Sequence, residues 1–321
     1  MAIVASAPTR LDFGGGWTDV PPFPEERGGF VCNLAIERRA TVHVADGAAW
    51  HGGEPPAPDP LIDAALRFEA RAGVTTAERP AAHIMLTSDF PVSAGLGGSS
   101  AAGVALAAAL AARRGAAFSD RSALAEWSRA VEVEELGIAG GRQDHYAAAY
   151  GGALGLTFGR DVIARQIPLT DATITALERA VLVVYTGESR ISGETISAVL
   201  DAYRARVPAV VHALDRMAEL ARDMAAALEA GDLSHLAALV DEHWVNQRAL
   251  HPRITTPRID ALAHAVRQAG ATGLKALGAS GGGCVVVFAP AGDEAPVRDA
   301  AARYGQLLPW SVARRGVIVE S

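Results

Sequence analysis

A glycine-rich stretch directly before an alanine-rich run is the first part of the chain that could do chemistry. Residues 91–103 read PVSAGLGGSSAAG, and the alanine-rich run occupies 101–112. Glycines allow close backbone approaches that a Cβ would prevent, and the first N–H groups of a helix have no partner inside it. A glycine loop that leads into a helix is therefore typical of a phosphate site. The glycines alone leave a second interpretation open, a tight turn followed by a capped helix that binds nothing.

This loop matches neither of the two best-known phosphate motifs. The pattern GxxxxGK[ST] needs a lysine that is absent here, and GxGxxG fails because Ser100 stands at its last position. The serine hydroxyls that follow the glycines are hard oxygen donors, which can bind Mg²⁺ beside a phosphate group. The loop predicts phosphate binding without naming the reaction.

Three further clusters indicate phosphoryl transfer. Residues 7–19 read APTRLDFGGGWTD and contain Arg10 and Asp19, residues 140–146 read GGRQDHY and contain Asp144, and residues 274–283 read LKALGASGGG. Phosphoryl transfer needs positive charge against the phosphates, a metal ion, and a group that positions the attacking hydroxyl. An arginine, carboxylates and glycine loops are the residue types that meet these needs.

Two rival classes of function follow from the same residues. The stretch 278–282, GASGG, matches the G-x-S-x-G turn of hydrolases, which joins a strand to a helix and precedes the catalytic histidine. Here the predicted strand CVVVF follows, and the last histidine, His264, lies upstream of Ser280, so a hydrolase is excluded. A non-catalytic nucleotide-binding protein would bind ATP without turnover. The presence of both Arg10 and Asp144 disfavours it, and an activity assay separates the two.

In this order, the four motifs resemble those of the GHMP kinase superfamily, and the resemblance covers nearly the whole chain. It implies an α+β, two-lobed fold: residues 1–165 form a mixed ATP-binding lobe with a ribosomal-protein-like β/α unit, and residues 166–321 form a helix-rich lobe with an antiparallel sheet. FGGGWTDVPPF, GGFVCNLAI and QDHYAAAYGG are similar to the sugar kinases that act on heptose 7-phosphate and on L-fucose. The GGWTD…PP form is closer to the fucokinase branch, and the compact length is closer to the heptose branch.

The resemblance implies ATP and Mg²⁺ as cofactors and assigns residues to them. Asp144 would be the catalytic base that accepts the proton of the sugar's anomeric hydroxyl, and Arg10 would hold Asp144 ionised and help neutralise the transferred phosphoryl group. Ser99 and Glu132 would bind Mg²⁺, with Glu134 and Glu135 as alternatives to Glu132. The ATP phosphates would be surrounded by Pro91, Gly95, Leu96, Gly97, Gly98, Ser99, Ser100 and Ala101.

The substrate would be a sugar or sugar phosphate, held by both lobes. Thr18 and Asp19 would hydrogen-bond sugar hydroxyls, and a phosphate already on the sugar would be bound by Arg190 or Lys275. The remaining expected substrate contacts are Trp17, Gly141, Gly281, Gly282 and Gly283. A heptose 7-phosphate 1-kinase is the first choice and an L-fucokinase the second. The sugar-like GGWTD segment disfavours a decarboxylase of the same superfamily.

This chain departs from the usual superfamily pattern at two positions. The loop reads GLGGSS where GLGSSS is more usual, and Ser280 stands where glycine is common. Either change is expected to alter nucleotide affinity or donor preference without abolishing binding.

The composition limits the partners. The 321 residues carry a net charge of −7, which argues against a nucleic-acid or membrane-surface binder because both need a basic field. Cys32 and Cys284 suggest neither a disulfide framework nor a metal cluster. The N-terminus lacks the basic and apolar regions of a signal peptide. We expect a reduced, cytoplasmic monomer or homodimer.

The hydrophobic patterns predict the elements that position these motifs. A strand-rich first half and a helix-rich second half indicate an α+β fold, with the change near residues 160–171. Predicted strands cover 2–5, 30–36, 40–44, 82–86, 147–158, 180–185, 273–277, 284–288 and 316–320. Predicted helices cover 60–72, 99–114, 121–136, 193–207, 210–230, 233–250, 256–269 and 295–304.

Overall fold

The computed structural model describes residues 2–46, 59–73, 82–188 and 193–320. Within these ranges the chain forms two antiparallel sheets, and the helices pack on and between them. The predicted α+β class is confirmed. Arg190 lies outside the described residues, so its predicted role stays a prediction.

The first sheet has the order β10-β1-β2-β4-β5, and β3 also pairs with β2. Its strands are β1 Ala2–Gly14, β2 Gly29–Asp46, β3 Ala82–Ser88, β4 Ala153–Phe158, β5 Val162–Ile167 and β10 Ile318–Glu320. The first part of β2 pairs with β4 and its last part pairs with β3, while β1 runs along the other side. The two strands predicted at 30–36 and 40–44 are therefore one strand, which changes its partner halfway.

The second sheet has the order β7-β8-β6-β9. Its strands are β6 Val181–Tyr185, β7 Gly273–Ala276, β8 Cys284–Phe288 and β9 Gln306–Leu308. The central strands β6 and β8 read VLVVY and CVVVF, continuous apolar runs that suit strands buried on both faces. The chain passes from the first sheet to the second after Ile167 and returns through β10. A division of the lobes at residue 165 stays a prediction.

The α-helices of the described ranges flank these sheets. They are α1 Phe23–Arg27, α2 Pro60–Arg71, α3 Gly98–Arg113, α4 Arg121–Ala130, α5 Gln143–Tyr150, α6 Asp171–Ala180, α7 Gly193–Arg204, α8 Pro208–Ala230, α9 Leu233–Leu250, α10 Pro257–Gln268 and α11 Glu294–Ala302. A π-helical turn, Val131–Glu135, extends α4, and a 3₁₀ turn covers Pro252–Ile254. None of these helices combines the length and apolar character that crossing a membrane would require.

The strand predicted at 147–158 is wrong in its first part. Residues up to Tyr150 belong to α5, because the alanines of QDHYAAAY favour a helix. Gly151 and Gly152 have positive φ angles of 70° and 68°, which end the helix, and β4 begins at Ala153. The patterns also missed β5 and α6.

Small side chains allow the helix after the glycine loop to pack deeply. All residues of α3 from Ser100 to Ala111 are buried, between the first sheet and the helices α4 and α5. A second cluster joins the lobes, because Leu220, Met224 and Leu228 of α8 pack with residues of β1, β2 and the second sheet. This shared core fixes β1 and the glycine loop relative to the second lobe.

Candidate active site

A cavity of about 910 Å³ brings the predicted motifs together. Its walls come from β1 and the turn after it, the glycine loop, the start of α5, and the turn between β7 and β8. These segments are far apart in sequence. The tertiary fold brings them together around the same cavity.

The glycine loop ends in a helix N-terminus that no side chain of the described residues caps. Helix α3 begins at Gly98, its N-cap Gly97 has a left-handed φ of 74°, and its first turn contains no acidic residue. The first N–H groups therefore have no partner inside the helix, which favours an anion at this end. A Cβ on Gly97 would lie 3.0 Å from Cγ of Asp144, so the loop packs directly against that carboxylate.

The main-chain carbonyls of the glycine loop accept hydrogen bonds from both lobes. The N–H of Cys284 donates to the carbonyl oxygen of Ala94 at 2.7 Å, and the N–H of Arg10 donates to that of Leu96 at 3.0 Å. The Arg10 guanidinium also donates from Nη1 to the carbonyl oxygen of Gly95 at 2.6 Å. These contacts use carbonyl oxygens of the loop and none of its N–H groups.

Arg10 and Asp144 form an ion pair in the wall of the cavity. Nε of Arg10 lies 2.7 Å from Oδ1 of Asp144, and the two side chains are 3% and 27% exposed. Arg10 is thus fixed by the protein, whereas the carboxylate of Asp144 also faces the cavity. This arrangement can orient a hydroxyl group and place positive charge beside it.

Glu132 is the acidic residue of its segment that faces the serines of the glycine loop. Ser99 and Ser100 donate from Oγ to its carboxylate at 3.3 and 3.4 Å. Burial would raise the pKa of Glu132, but hydrogen bonds from His145 and the serines outweigh this and hold the pKa below its usual value. Glu134 and Glu135 instead pair with Arg67 and Arg71 on α2, away from the loop.

The oxygen donors at this place fit Mg²⁺. Ser99 is exposed at the end of the loop, and its hydroxyl and the Glu132 carboxylate are hard ligands. Across the described ranges, no three His, Cys, Asp or Glu side chains converge as a metal cage. Magnesium usually keeps few protein ligands and completes its shell with phosphate oxygens and water, which agrees with a pair of donors beside an anion site.

Asp19 lies in the cavity wall, against the start of α5. Its Oδ2 accepts hydrogen bonds from the N–H groups of Arg142 at 2.8 Å and Gln143 at 3.0 Å, at the start of α5. A Cβ at position 141 would lie 1.9 Å from this oxygen, so only glycine fits there. Burial raises the pKa of Asp19 to about 6, and the nearby Asp144 charge adds to this effect.

Trp17 and Ser280 occupy backbone conformations that are unusual for their residue types. Trp17 lines the cavity with φ 84°, and its Nε1 is buried without a hydrogen-bond partner in the described chain. Ser280 also lines the cavity with φ 66°, and its hydroxyl accepts a hydrogen bond from Nε2 of Gln247 at 2.9 Å. Ser280, which stands where glycine is common in the superfamily, is thus accommodated in a left-handed backbone conformation.

Two predicted substrate contacts are buried side chains with partners inside the protein. Lys275 is fully buried, and its Nζ donates to the main-chain oxygen and to Oδ2 of Asp12 at 2.9 and 3.0 Å. Thr18 is also fully buried, and its hydroxyl donates to the carbonyl of Gly15 at 2.7 Å. Neither side chain lines the cavity, so the described structure lends no support to Lys275 as a phosphate ligand or to Thr18 as a sugar ligand, and both roles stay predictions. A sequence pattern does not reveal such burial.

The remaining predicted residues divide between the cavity wall and its support. Ala101 does not contact the cavity, because its N–H bonds the Gly97 carbonyl and its methyl group is buried in α3. Gly281 and Gly283 donate their N–H groups to Ile254 and Glu188, and they support the turn. The residues that line the cavity as predicted are Pro91, Gly95, Leu96, Gly97, Gly98, Ser99, Ser100, Gly141 and Gly282.

Asp12 and Gln143 are among the cavity residues that the sequence analysis did not single out. Asp12 lies two residues after Arg10 on β1, on the same face of the strand, so its position was available from the strand period. Burial alone would raise the pKa of Asp12, but the charges of Lys275 and Arg10 outweigh it and keep this pKa below its usual value. Gln143 accepts a hydrogen bond from Asn33 at 3.4 Å, a contact that no local pattern indicates.

Comparison with known proteins identifies two family models along the chain. The GHMP kinases N terminal domain matches residues 60–152, and the GHMP kinases C terminal domain matches residues 224–307. Together the two matches cover more than half of the chain, and they include the glycine loop, Asp144 and the turn before β8.

Curated relatives include kinases of two sugars. The chain is 26% identical to a bifunctional fucokinase/GDP-fucose pyrophosphorylase of Arabidopsis thaliana, over 90% of this chain and 30% of that protein. It is 24% identical to the D-glycero-alpha-D-manno-heptose 7-phosphate kinase of Campylobacter jejuni, over 89% of both. The chain spans about a third of the length of the bifunctional fucokinase relatives it matches.

Solved structures share the fold. A D-glycero-D-manno-heptose 1-phosphate kinase from Bacteroides thetaiotaomicron superposes with a TM-score of 0.79 at 21% identity, over 99% of each chain. At this identity the likeness establishes the two-lobed fold and leaves the substrate undefined.

Proposed function

Because the chain belongs to the GHMP kinase family, we propose that it is an ATP-dependent sugar kinase that phosphorylates an anomeric hydroxyl. The observation that carries this proposal is the Arg10–Asp144 ion pair, which lies in one cavity with the uncapped N-terminus of α3. The glycine loop would hold the ATP phosphates, and Asp144 would face the sugar. The cytoplasmic location and the monomeric or dimeric state stay predictions.

The reaction would join the sugar oxygen to the terminal phosphorus of ATP. The new O–P bond forms as the bond between that phosphorus and the bridging oxygen breaks, and ADP leaves with the electron pair. Asp144 orients the attacking hydroxyl and accepts its proton, while the fixed guanidinium of Arg10 places charge beside the transferred group. Ser99 and Glu132 would hold Mg²⁺, which supplies positive charge against the phosphate oxygens when bound.

The sugar would lie between Asp144 and Asp19. Asp19 is fixed by two main-chain N–H groups, so its carboxylate can accept hydrogen bonds from sugar hydroxyls without reorganising. We place heptose 7-phosphate first because the Campylobacter jejuni heptose kinase and this chain match along 89% of their lengths. L-fucose is the second candidate, supported by the fucokinase-like GGWTD segment and the Arabidopsis thaliana relative.

A screen of acceptors tests the proposal. ADP formation would be followed with heptose 7-phosphate, L-fucose, galactose and mannose, and the phosphorylated position would be read by NMR. We expect one of the first two sugars to give the highest kcat/KM and a 1-phosphate product. No ADP formation with any reducing sugar or sugar phosphate would contradict the assignment as a sugar kinase.

The variant Asp144→Asn tests the role of the ion pair. ATP binding should stay near normal, and turnover should fall about 10²–10⁴-fold because the amide cannot accept the proton. Asp161→Asn, in the exposed turn between β4 and β5, is the matched control and should behave as the wild type. Equal turnover in Asp144→Asn and in the wild type would remove Asp144 from the mechanism.

A further inference from the structure

His145 lies next to Asp144 in sequence but faces a different part of the molecule. Successive residues of a helix point about 100° apart, so Asp144 faces the cavity while His145 faces α4. The His145 side chain is 3% exposed, and its Nε2 lies 2.9 Å from Oε2 of Glu132. A buried histidine therefore contacts the carboxylate that the serines of the glycine loop also contact.

The other ring nitrogen of His145 is held by a serine of α4. Nδ1 lies 3.0 Å from Oγ of Ser128, a residue that is almost completely buried. Glycine at position 103 of α3 makes room for this hydroxyl, since a Cβ there would lie 2.3 Å from Oγ of Ser128. Three helices thus fix one line of contacts, from Ser128 through His145 to Glu132.

The chemistry of these groups sets the direction of the hydrogen bonds. A carboxylate only accepts, so Nε2 of His145 must carry hydrogen and donate to Glu132. Nδ1 lies beside the Ser128 hydroxyl, which can either donate to it or accept from it. Each group therefore has a partner of the right kind in either charge state of the ring.

The backbone around Glu132 departs from a regular α-helix. Glu132 lies in the π-helical turn Val131–Glu135, which follows α4 directly. Such a turn changes the direction of side chains relative to a regular helix and is frequent at functional sites. His145 contacts one oxygen of this carboxylate, Oε2, while the other, Oε1, accepts a hydrogen bond from Ser99.

His243 shows what a purely structural histidine looks like in this protein. It is fully buried, its Nε2 accepts the N–H of Gly15 at 2.8 Å, and its Nδ1 has no partner in the described chain. It holds backbone, whereas His145 holds a carboxylate that faces a ligand site. The two histidines thus differ in the group that they contact, a main-chain N–H for His243 and a carboxylate for His145.

We propose that His145 is a positioning residue for the metal site: it fixes the Glu132 carboxylate towards Ser99 and so increases the affinity for Mg²⁺ beside the nucleotide. The inference rests on the proposed function, in which Glu132 is a metal ligand. Partners of this kind typically contribute about 10–100-fold to metal affinity. His145 itself does not contact substrate or metal.

The test measures metal binding without turnover. Mn²⁺ would replace Mg²⁺, and its free concentration would be followed by electron paramagnetic resonance in the presence of a non-hydrolysable ATP analogue. The variants are His145→Ala, His145→Gln, Ser128→Ala and Glu132→Gln, with the exposed His212→Gln as the matched control. Nucleotide binding in EDTA and circular dichroism report whether each variant is folded.

We expect His145→Ala to raise the Kd for Mn²⁺ about 10–100-fold while metal-free nucleotide binding stays unchanged. His145→Gln should remain within about threefold of the wild type, because an amide N–H can replace the donor to Glu132. The Kd of Ser128→Ala for Mn²⁺ should lie between those of His145→Ala and His145→Gln. If His145→Ala does not fold, the Gln and Ser128 variants still give the comparison with Glu132→Gln.

Two results would overturn the inference in different ways. Unchanged Mn²⁺ affinity in His145→Ala and Ser128→Ala, together with weaker binding in Glu132→Gln, would refute the positioning role of His145. The metal site of the proposed function would still be supported. Unchanged affinity in Glu132→Gln would remove that metal site and the inference with it.

Discussion

The buried ion pair between Lys275 and Asp12 allows a quantitative prediction about how the two lobes are joined. Lys275 belongs to β7 in the second sheet and Asp12 to β1 in the first, and their side chains are 0% and 3% exposed. The change Lys275→Met keeps an unbranched side chain and removes the charge. Asp12 would then be a buried carboxylate with neither of its oxygens paired, since Oδ1 has no partner in the described chain even in the native state.

The expected loss of unfolding free energy follows from this burial. Removing one partner of a buried ion pair typically costs about 3–5 kcal/mol, because the remaining charge is uncompensated. The double variant Asp12→Asn/Lys275→Met buries no charge and should recover most of the loss, leaving about 1–2 kcal/mol for unpaired polar atoms. The difference between single and double variants measures the charge effect.

Urea unfolding followed by tryptophan fluorescence and circular dichroism is the assay. The matched control is Arg267→Met, which breaks an ion pair with Asp241 whose side chains are 42% and 34% exposed. That change should cost less than about 1 kcal/mol. A loss for Lys275→Met as small as the control, or a double variant no more stable than the single, would refute the reasoning.

Three further predictions concern the cavity. Gly97→Ala should lower kcat in the acceptor assay, because its Cβ would press on Asp144. It should lower the free energy of unfolding by only about 1–2 kcal/mol, because alanine disfavours φ 74°. Unchanged kcat would count against the close packing. Arg10→Lys should lower kcat about a hundredfold, because one ammonium cannot hold both Asp144 and the Gly95 carbonyl in place. Because burial raises the pKa of Asp19 from 3.8 to about 6, the folded state binds the extra proton, and stability should fall as pH rises between about 4 and 6. Thermal unfolding across this range should show that fall to be absent in Asp19→Asn; the same slope in both proteins would contradict it.

Local patterns determined the elements whose periodicity is strong and long. The helix predicted at 233–250 is observed as Leu233–Leu250, and the one predicted at 210–230 begins only two residues earlier. The predicted strand boundaries were wrong where pairing with distant segments sets them. Strand β2 was predicted as two strands, and its two halves pair with different strands. The prediction also failed at α5, where two glycines rather than a change of period separate helix from strand.

The sequence by itself determined the glycine loop, the helix that follows it and the family to which the motifs belong. Residue types and their order carry this information, because conformational freedom and hydrogen-bonding capacity are local properties. The roles expected for Arg10, Asp144, Ser99 and Glu132 follow from the resemblance of these motifs to the GHMP kinases and need no distance.

Only the tertiary structure decided which polar side chains face the cavity and which are consumed inside the protein. Lys275 and Asp12 lie 263 positions apart in the chain, yet Nζ of Lys275 contacts Oδ2 of Asp12 at 3.0 Å inside the protein. The choice of Glu132 over Glu134 and Glu135 likewise depends on where α2 places Arg71. The physical reason is that burial and pairing arise from segments distant in sequence, and no local pattern records which partner each charge will meet.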